Sequence, residues 1–150
     1  MPPGMYHSVI LHRSFDAERV NEIVNHPEVR PLAGGDGKSW IDMTRVVTDQ
    51  QCYTLLGPHG GFCFTWTAPQ TYEVHAFILP AGRGKAAYRL GMMCRDYMES
   101  VGTLQLWARI GRGMDHVRHL TVTCGFKRCG VLLSDGSTYD LYNWRPECRQ

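Results

Sequence analysis

The sequence predicts an α/β (α+β) fold, a mixed and mostly antiparallel twisted sheet flanked by helices. Three observations predict it. The β-rich runs "CYTLLG" (52–57), "GGFCFTW" (60–66) and "TYEVHAFIL" (71–79) follow one another across "PHG" and "APQ", the pattern of an antiparallel meander. From Lys85 to Val101 the apolar period becomes helical. Beyond it a strand, a weaker helix and a final hairpin alternate, so the sheet continues past a crossover.

Each element has its own signal. "YHSVIL" (6–11) reads as an opening strand. "FDAERVNEIVNH" (15–26) sets Val20, Ile23 and Val24 on one helical stripe, with Asp16 near its start and Pro27 closing it. "EVRPLAGGDGKSW" (28–40) is a Pro/Gly-rich loop with room for a short helical turn, and "WIDMTRVV" (40–47) reads as a second small helix. After the three strands, the long helix places Ala87, Leu90, Cys94, Tyr97, Met98 and Val101 on one face. "LQLWARI" (104–110) is a strand, and "MDHVRHLTVTC" (114–124) is a helix ending at Gly125. "GFKRCGVLL" (125–133) and "TYDLYNW" (138–144) form a hairpin around "SDGS". The order is β-α-α-β-β-β-α-β-α-β-β in one domain spanning 1–150, with no internal repeat.

Bulk properties bound the function. The 150 residues are 43% hydrophobic and 20% charged, ordinary for a soluble globular chain. No window approaches the roughly 18 apolar residues of a membrane span, and the start lacks a basic region followed by a sustained apolar core. A net charge of +2 with no basic stripe disfavours a nucleic-acid binder and is compatible with a modest anionic ligand. Cysteines at 52, 63, 94, 124, 129 and 148 form no C-x-x-C pair. They read as buried free thiols, which points to a reducing, cytoplasmic location.

Two places carry chemistry. The turn "ILPAGRGKAAYRL" (78–90) sets Gly82, Arg83, Gly84 and Lys85 between strand and helix. It is either an ordinary turn or an anion cradle. The first turn of a helix leaves backbone N–H groups without partners, its dipole favours an anion, and Arg83 and Lys85 add charge. The strand "TYEVHAFIL" places Glu73, His75 and Phe77 on one face and Tyr72, Val74, Ala76 and Ile78 on the other. A carboxylate and an imidazole on a covered strand need either partners or a task. His116 and His119 lack a third ligand and read as an exposed polar face rather than a metal site. Arg109, Arg112 and Arg118 could reach a ligand's phosphate but read as surface charge, and Trp40, Phe62, Phe64, Trp66 and Trp107 read as core rather than as a base-stacking surface.

The segment from Thr71 to about Val131 resembles the GNAT superfamily of acyl-CoA-dependent N-acetyltransferases. The shared features are a strand ending in Pro80 then "RGK", a long amphipathic helix, and a strand plus short helix ending in "GF" at Gly125-Phe126. "VNEIVNHPEVRP" is similar to small phage-encoded members, which would act in a host cytoplasm. In the family's phosphate motif Arg83 takes the first position, while Ala86 and Tyr88 stand where small residues, the first a glycine, are usual.

The resemblance implies direct transfer of an acetyl group from acetyl-CoA to a primary amine, without a metal. The alternative is a non-catalytic acyl-CoA-binding module that keeps the fold. The implied cofactor contacts are Phe77, Ile78 and Leu79 along the strand, and Arg83, Gly84, Lys85, Ala86, Ala87 and Tyr88 at the turn. Leu104 to Arg109 would form the opposite wall of a V-shaped gap. Glu73 falls at the family's base position, with His75 a relay or a substrate-orienting group. Thr121 stands where a tyrosine usually protonates the departing thiolate, so either no acid is used or Tyr139 or Tyr142 reaches in. The implied partner is an amine-bearing small molecule, protein or modified nucleobase, with no membrane, and the protein a monomer or homodimer.

Overall fold

A computed structural model describes residues 11–149. The element order matches the expectation: β1 (His12–Arg13), α1 (Ala17–Val24), α2 (Thr44–Thr48), β2 (Tyr53–Gly57), β3 (Gly60–Ala68), β4 (Thr71–Ile78), α3 (Lys85–Ser100), β5 (Gln105–Gly111), α4 (Asp115–Thr123), β6 (Lys127–Ser134) and β7 (Ser137–Trp144). The opening strand expected at 6–11 falls almost wholly outside the described residues. What is seen is the two-residue β1 beside Leu55 and Leu56.

The seven strands form one sheet in the order β1-β2-β3-β4-β5-β7-β6. Every pair is antiparallel except β4–β5, which α3 joins as a crossover. Strand alternation divides the core in two. Leu55, Phe62, Phe64, Leu106, Ile110 and Trp144 lie with Leu90, Cys94 and Met98 of α3 on one face. On the other, Leu56, Cys63 and Phe77 meet Val20, Ile23 and Val24 of α1 and Val47 of α2. That second cluster holds no residue of β5, β6 or β7, so half of this face lies beyond the cover of α1 and α2.

Local signals set most boundaries. Asp16 caps α1 by accepting from the Arg19 amide at 3.0 Å. Gly125 ends α4, with the Phe126 amide bonding back to the Thr121 carbonyl. Positive φ at Asp135 and Gly136 makes the last hairpin turn.

The second helix starts later than its pattern suggests, because side chains from α1 and its C-cap tie down the chain before it. Asn25 exchanges two hydrogen bonds with the backbone of Ile41, and Asn21 Oδ1 accepts from the Met43 amide at 2.6 Å. The 28–40 loop contains the expected short turn at Arg30–Leu32. It is organised by the buried Arg30, whose guanidinium donates to the Ser39 and Gly34 carbonyls and to Asp36.

Several burial expectations are corrected. Val101 is exposed at the end of α3, and its place in the buried stripe is taken by Gly91 and Arg95. Arg95 donates to the Cys124 carbonyl at 2.7 Å and lies over the Trp144 ring. Of the aromatics, Phe62 and Phe64 are core, whereas Trp40 and Trp66 are exposed. Cys52, Cys63, Cys94 and Cys124 are buried free thiols, and Cys129 on β6 is exposed. Burial pushes the Cys63 thiol up to about 11, which makes it a poor nucleophile.

Candidate active site

The β4–β5 ladder pairs only Thr71, Tyr72 and Glu73 with Gln105, Leu106 and Trp107. Beyond that point the strands part. β4 runs on to Ile78 against β3 alone, and β5 to Gly111 against β7 alone. The result is a V-shaped gap with Glu73 and Trp107 at its apex. The Phe77 carbonyl lies against Gly60 of β3. Alternation therefore turns the backbone polar groups of Ala76 and Ile78 toward the gap. Phe77 and Leu79 are corrected as backbone donors: Phe77 faces β3, and the Leu79 amide donates to the His59 carbonyl at 2.9 Å.

At the far end of β4 the chain makes a short turn at Pro80–Gly82 and enters α3. The two glycines there have different tasks. A Cβ on Gly82 would stand 2.7 Å from the His59 Cβ, so the turn can lie against the β2–β3 connection only without a side chain. Gly84 is the N-cap residue, at φ +76° and ψ −135°, a conformation that favours glycine. No side chain caps the helix, and its first bond runs from the Tyr88 amide to the Gly84 carbonyl. The Lys85, Ala86 and Ala87 amides thus head the helix with no intrahelical partner. Gly84, Lys85 and Ala86 are exposed, Ala87 is buried beneath them, and Tyr88 is exposed.

Arg83 departs from its expected place beside an anion. Its guanidinium donates to the Ile78 carbonyl at 3.3 Å and the Glu28 carbonyl at 2.6 Å, tying the end of β4 to the loop after α1. The cations near the cap are Lys85 and Arg89. Arg89, which the sequence reading did not single out, lines a groove of about 240 Å³ with His59, Gly82 and Ala86.

At the apex, Glu73 is buried on the face of α1 and α2. Arg109 of β5 holds it with two bonds, Nε to Oε2 at 2.6 Å and Nη2 to Oε1 at 3.2 Å. His75 Nε2 lies 3.5 Å from the same Oε1. Side-chain exposure separates the three: 7% for Glu73, 46% for His75 and 38% for Arg109. Burial raises the Glu73 pKa, but the imidazole and guanidinium together outweigh it and hold the carboxyl at about 2.

Glu73 thus has partners at the place expected of a base. Both its oxygens are engaged, and so weak a base has little driving force to take a proton from an ammonium. The sign of the linkage follows. A carboxylate whose pKa is depressed on folding contributes stability above the ordinary carboxylate range, and this is lost as pH falls toward 2. Glu73→Gln is therefore expected to melt below the wild type at pH 7. The difference should shrink in a pH series descending below 4, and a constant gap would count against the ion pair.

Among the other expected residues, Thr121 donates its hydroxyl hydrogen to the Val117 carbonyl at 2.7 Å, within its own helix. Tyr142 is buried on the opposite face of the sheet, while Tyr139 pairs with Gly111 on the face that carries Arg109. Arg118 bridges Asp115 and Asp140. His116 and His119 are exposed, and no group of three or more metal-ligating side chains occurs among the described residues.

Arg109 was legible only in part. Alternation along "QLWARIG" puts Trp107 and Arg109 on one face, but nothing local says that this face meets Glu73.

No family model and no curated protein matches the chain. Solved structures do. An aminoglycoside acetyltransferase in complex with coenzyme A and kanamycin superposes with a TM-score of 0.73 at 11% identity, over 93% of this chain and 96% of the other. A spermidine N-acetyltransferase from Vibrio cholerae, with coenzyme A and spermine, gives 0.73 at 13%, over 93% and 96%. An N-acetyltransferase from Staphylococcus aureus Mu50 gives 0.71 at 18%, over 91% and 98%. The fold is that of the GNAT acetyltransferases. Within this fold the parting of β4 from β5 lies just before the uncapped start of α3.

Proposed function

We propose that the protein is an acetyl-CoA-dependent N-acetyltransferase that moves the acetyl group directly to a primary amine. The observation that carries this reading is the parting of β4 from β5 immediately before an open, uncapped helix. The Lys85, Ala86 and Ala87 amides, with the Lys85 ammonium, would hold the diphosphate. The Ala76 and Ile78 backbone would line the pantetheine arm, where an amide aimed at the thioester oxygen stabilises the charge that develops there. Acetyl-CoA would supply an activated acyl carbon with a thiolate leaving group.

His75 is the proton acceptor in this reading. Glu73, fixed by Arg109, faces one imidazole nitrogen and stabilises the imidazolium that forms, while the other nitrogen is left for the amine. The amine attacks only as the free base. As the C–N bond forms, the C–S bond breaks. Of the two protons the ammonium gives up, one ends on the thiolate and the other in solvent. With Thr121 engaged by its own helix, the thiolate leaves without a side-chain acid, which a thiol pKa near 8.5 permits. The same Thr121 bond is the one observation that favours a non-catalytic acyl-CoA-binding module. A cytoplasmic location, a host's if the chain is phage-encoded, goes with either reading.

Melting with and without acetyl-CoA tests the shared premise. At about a hundred times the dissociation constant the ligand adds about 2.7 kcal/mol, a rise of roughly 5–11 °C for a chain of this size. No shift at millimolar acetyl-CoA would remove both readings. A shift without thiol release against any amine would leave the binding module.

A further inference from the structure

We propose that the acceptor is a free α-amino acid, its amine at His75 and its carboxylate on the outer edge of Arg109; this rests on the acetyltransferase reading above. A guanidinium carries five N–H donors along two usable edges. Glu73 occupies the Nε/Nη2 edge. Among the described residues nothing bonds Nη1, so the Nη1/Nη2 edge remains a fork of the geometry that grips a carboxylate bidentately. The side chain is 38% exposed and stands on the half of the sheet face that neither α1 nor α2 covers.

The spacing suits one compact ligand. Arg109 Nη2 and His75 Nε2 both contact Glu73 Oε1, at 3.2 and 3.5 Å, so the guanidinium and the imidazole flank the same carboxylate oxygen. A compact ligand with both an amine and a carboxylate can address the two groups, whereas a polyamine has no carboxylate to offer the guanidinium. Charge agrees. Glu73 is already neutralised, and Asp140 lies on the opposite face with Arg118 and Arg128. The apex therefore offers no free carboxylate to a polycation. The Trp107 ring, 5.6 Å from the Arg109 guanidinium carbon, gives the acceptor's side chain an apolar wall. The acidic alternative is the open hollow of about 470 Å³ on α1 and α2, lined by Glu18, Asn21, Glu22, Trp40 and Thr44.

The test sets L-amino acids against their α-amides and against spermidine, reading thiol release at saturating acetyl-CoA. Amino acids are expected to exceed their amides in kcat/KM by about tenfold or more, as for a lost charge-assisted pair. Arg109→Lys should raise KM for the amino acid at least that much and leave KM for its amide unchanged, while kcat falls alike for both as Glu73 loosens. Equal KM changes, or amides or spermidine used as well as amino acids, would overturn the proposal. Calorimetry of the same amino acids against the protein, with and without CoA, reads the fork independently of turnover. Binding that Arg109→Lys abolishes supports the proposal even without transfer, and absence of binding overturns it. Loss of the acetyl-CoA melting shift reports instead on the acetyltransferase reading.

Discussion

His75→Gln is expected to lower kcat by about 10²–10⁴-fold, the usual worth of a positioned general base, with a smaller fall in melting temperature than Glu73→Gln. The side chain is nearly half exposed, and Glu73 beside it keeps its two bonds to Arg109. The imidazole helps to hold the Glu73 carboxyl low, so a modest loss of stability accompanies the loss of rate. Thiol release from saturating acetyl-CoA with the best amine reads the effect, and the acetyl-CoA melting shift should be retained. Glu73→Gln should cost kcat less, because an amide oxygen can still orient the imidazole though it stabilises an imidazolium poorly. With its carboxyl held near 2, Glu73 supplies no inflection to a rate profile in the neutral range. If His75→Gln turned over at the wild-type rate while Glu73→Gln was inactive, the assignments of the two residues would have to be exchanged.

What the sequence disclosed and what it hid divide along a physical line. The order of elements was legible because each has a signal within a few residues: Asp16 at a helix start, Gly125 at a helix end, "SDGS" in a hairpin, and the change of period at Lys85. The start of α2 was not, since it is set by Asn21 and Asn25 reaching from another helix. The apex was half legible. Alternation found Glu73 and His75 on one face, but Arg109 joins them from a strand 36 residues away. Parallel register across a crossover has no local code. The turn at 78–90 shows the same division: its glycines could be read as backbone requirements, yet the direction of Arg83 depends on a carbonyl 55 residues away.

Gly61→Ala tests the register that places this site, and it is expected to destabilise by about 3 kcal/mol, a fall in melting temperature of roughly 6–12 °C. A Cβ there would stand 2.0 Å from the Leu55 carbonyl oxygen and 3.0 Å from the Leu55 carbonyl carbon and Leu56 Cα. All three are backbone atoms of β2, so no side chain can turn aside, and the strand itself must move. Leu55 is wedged into the core under α3 and Leu56 into the core under α1. Displacing β2 therefore disturbs both faces at once. β3 cannot yield instead, because Gly61 also pairs with Phe77 and so sets the end of β4 where the turn into α3 begins. Gly130→Ala is the control, since its new methyl would meet only the Leu141 Cδ1 at an ordinary 3.8 Å. Thermal melts of the two variants should differ severalfold in their shift. A Gly61→Ala protein that melted with the control would mean that Leu56 does not lie opposite Gly61, and the alignment of β4 against the gap would have to be redrawn.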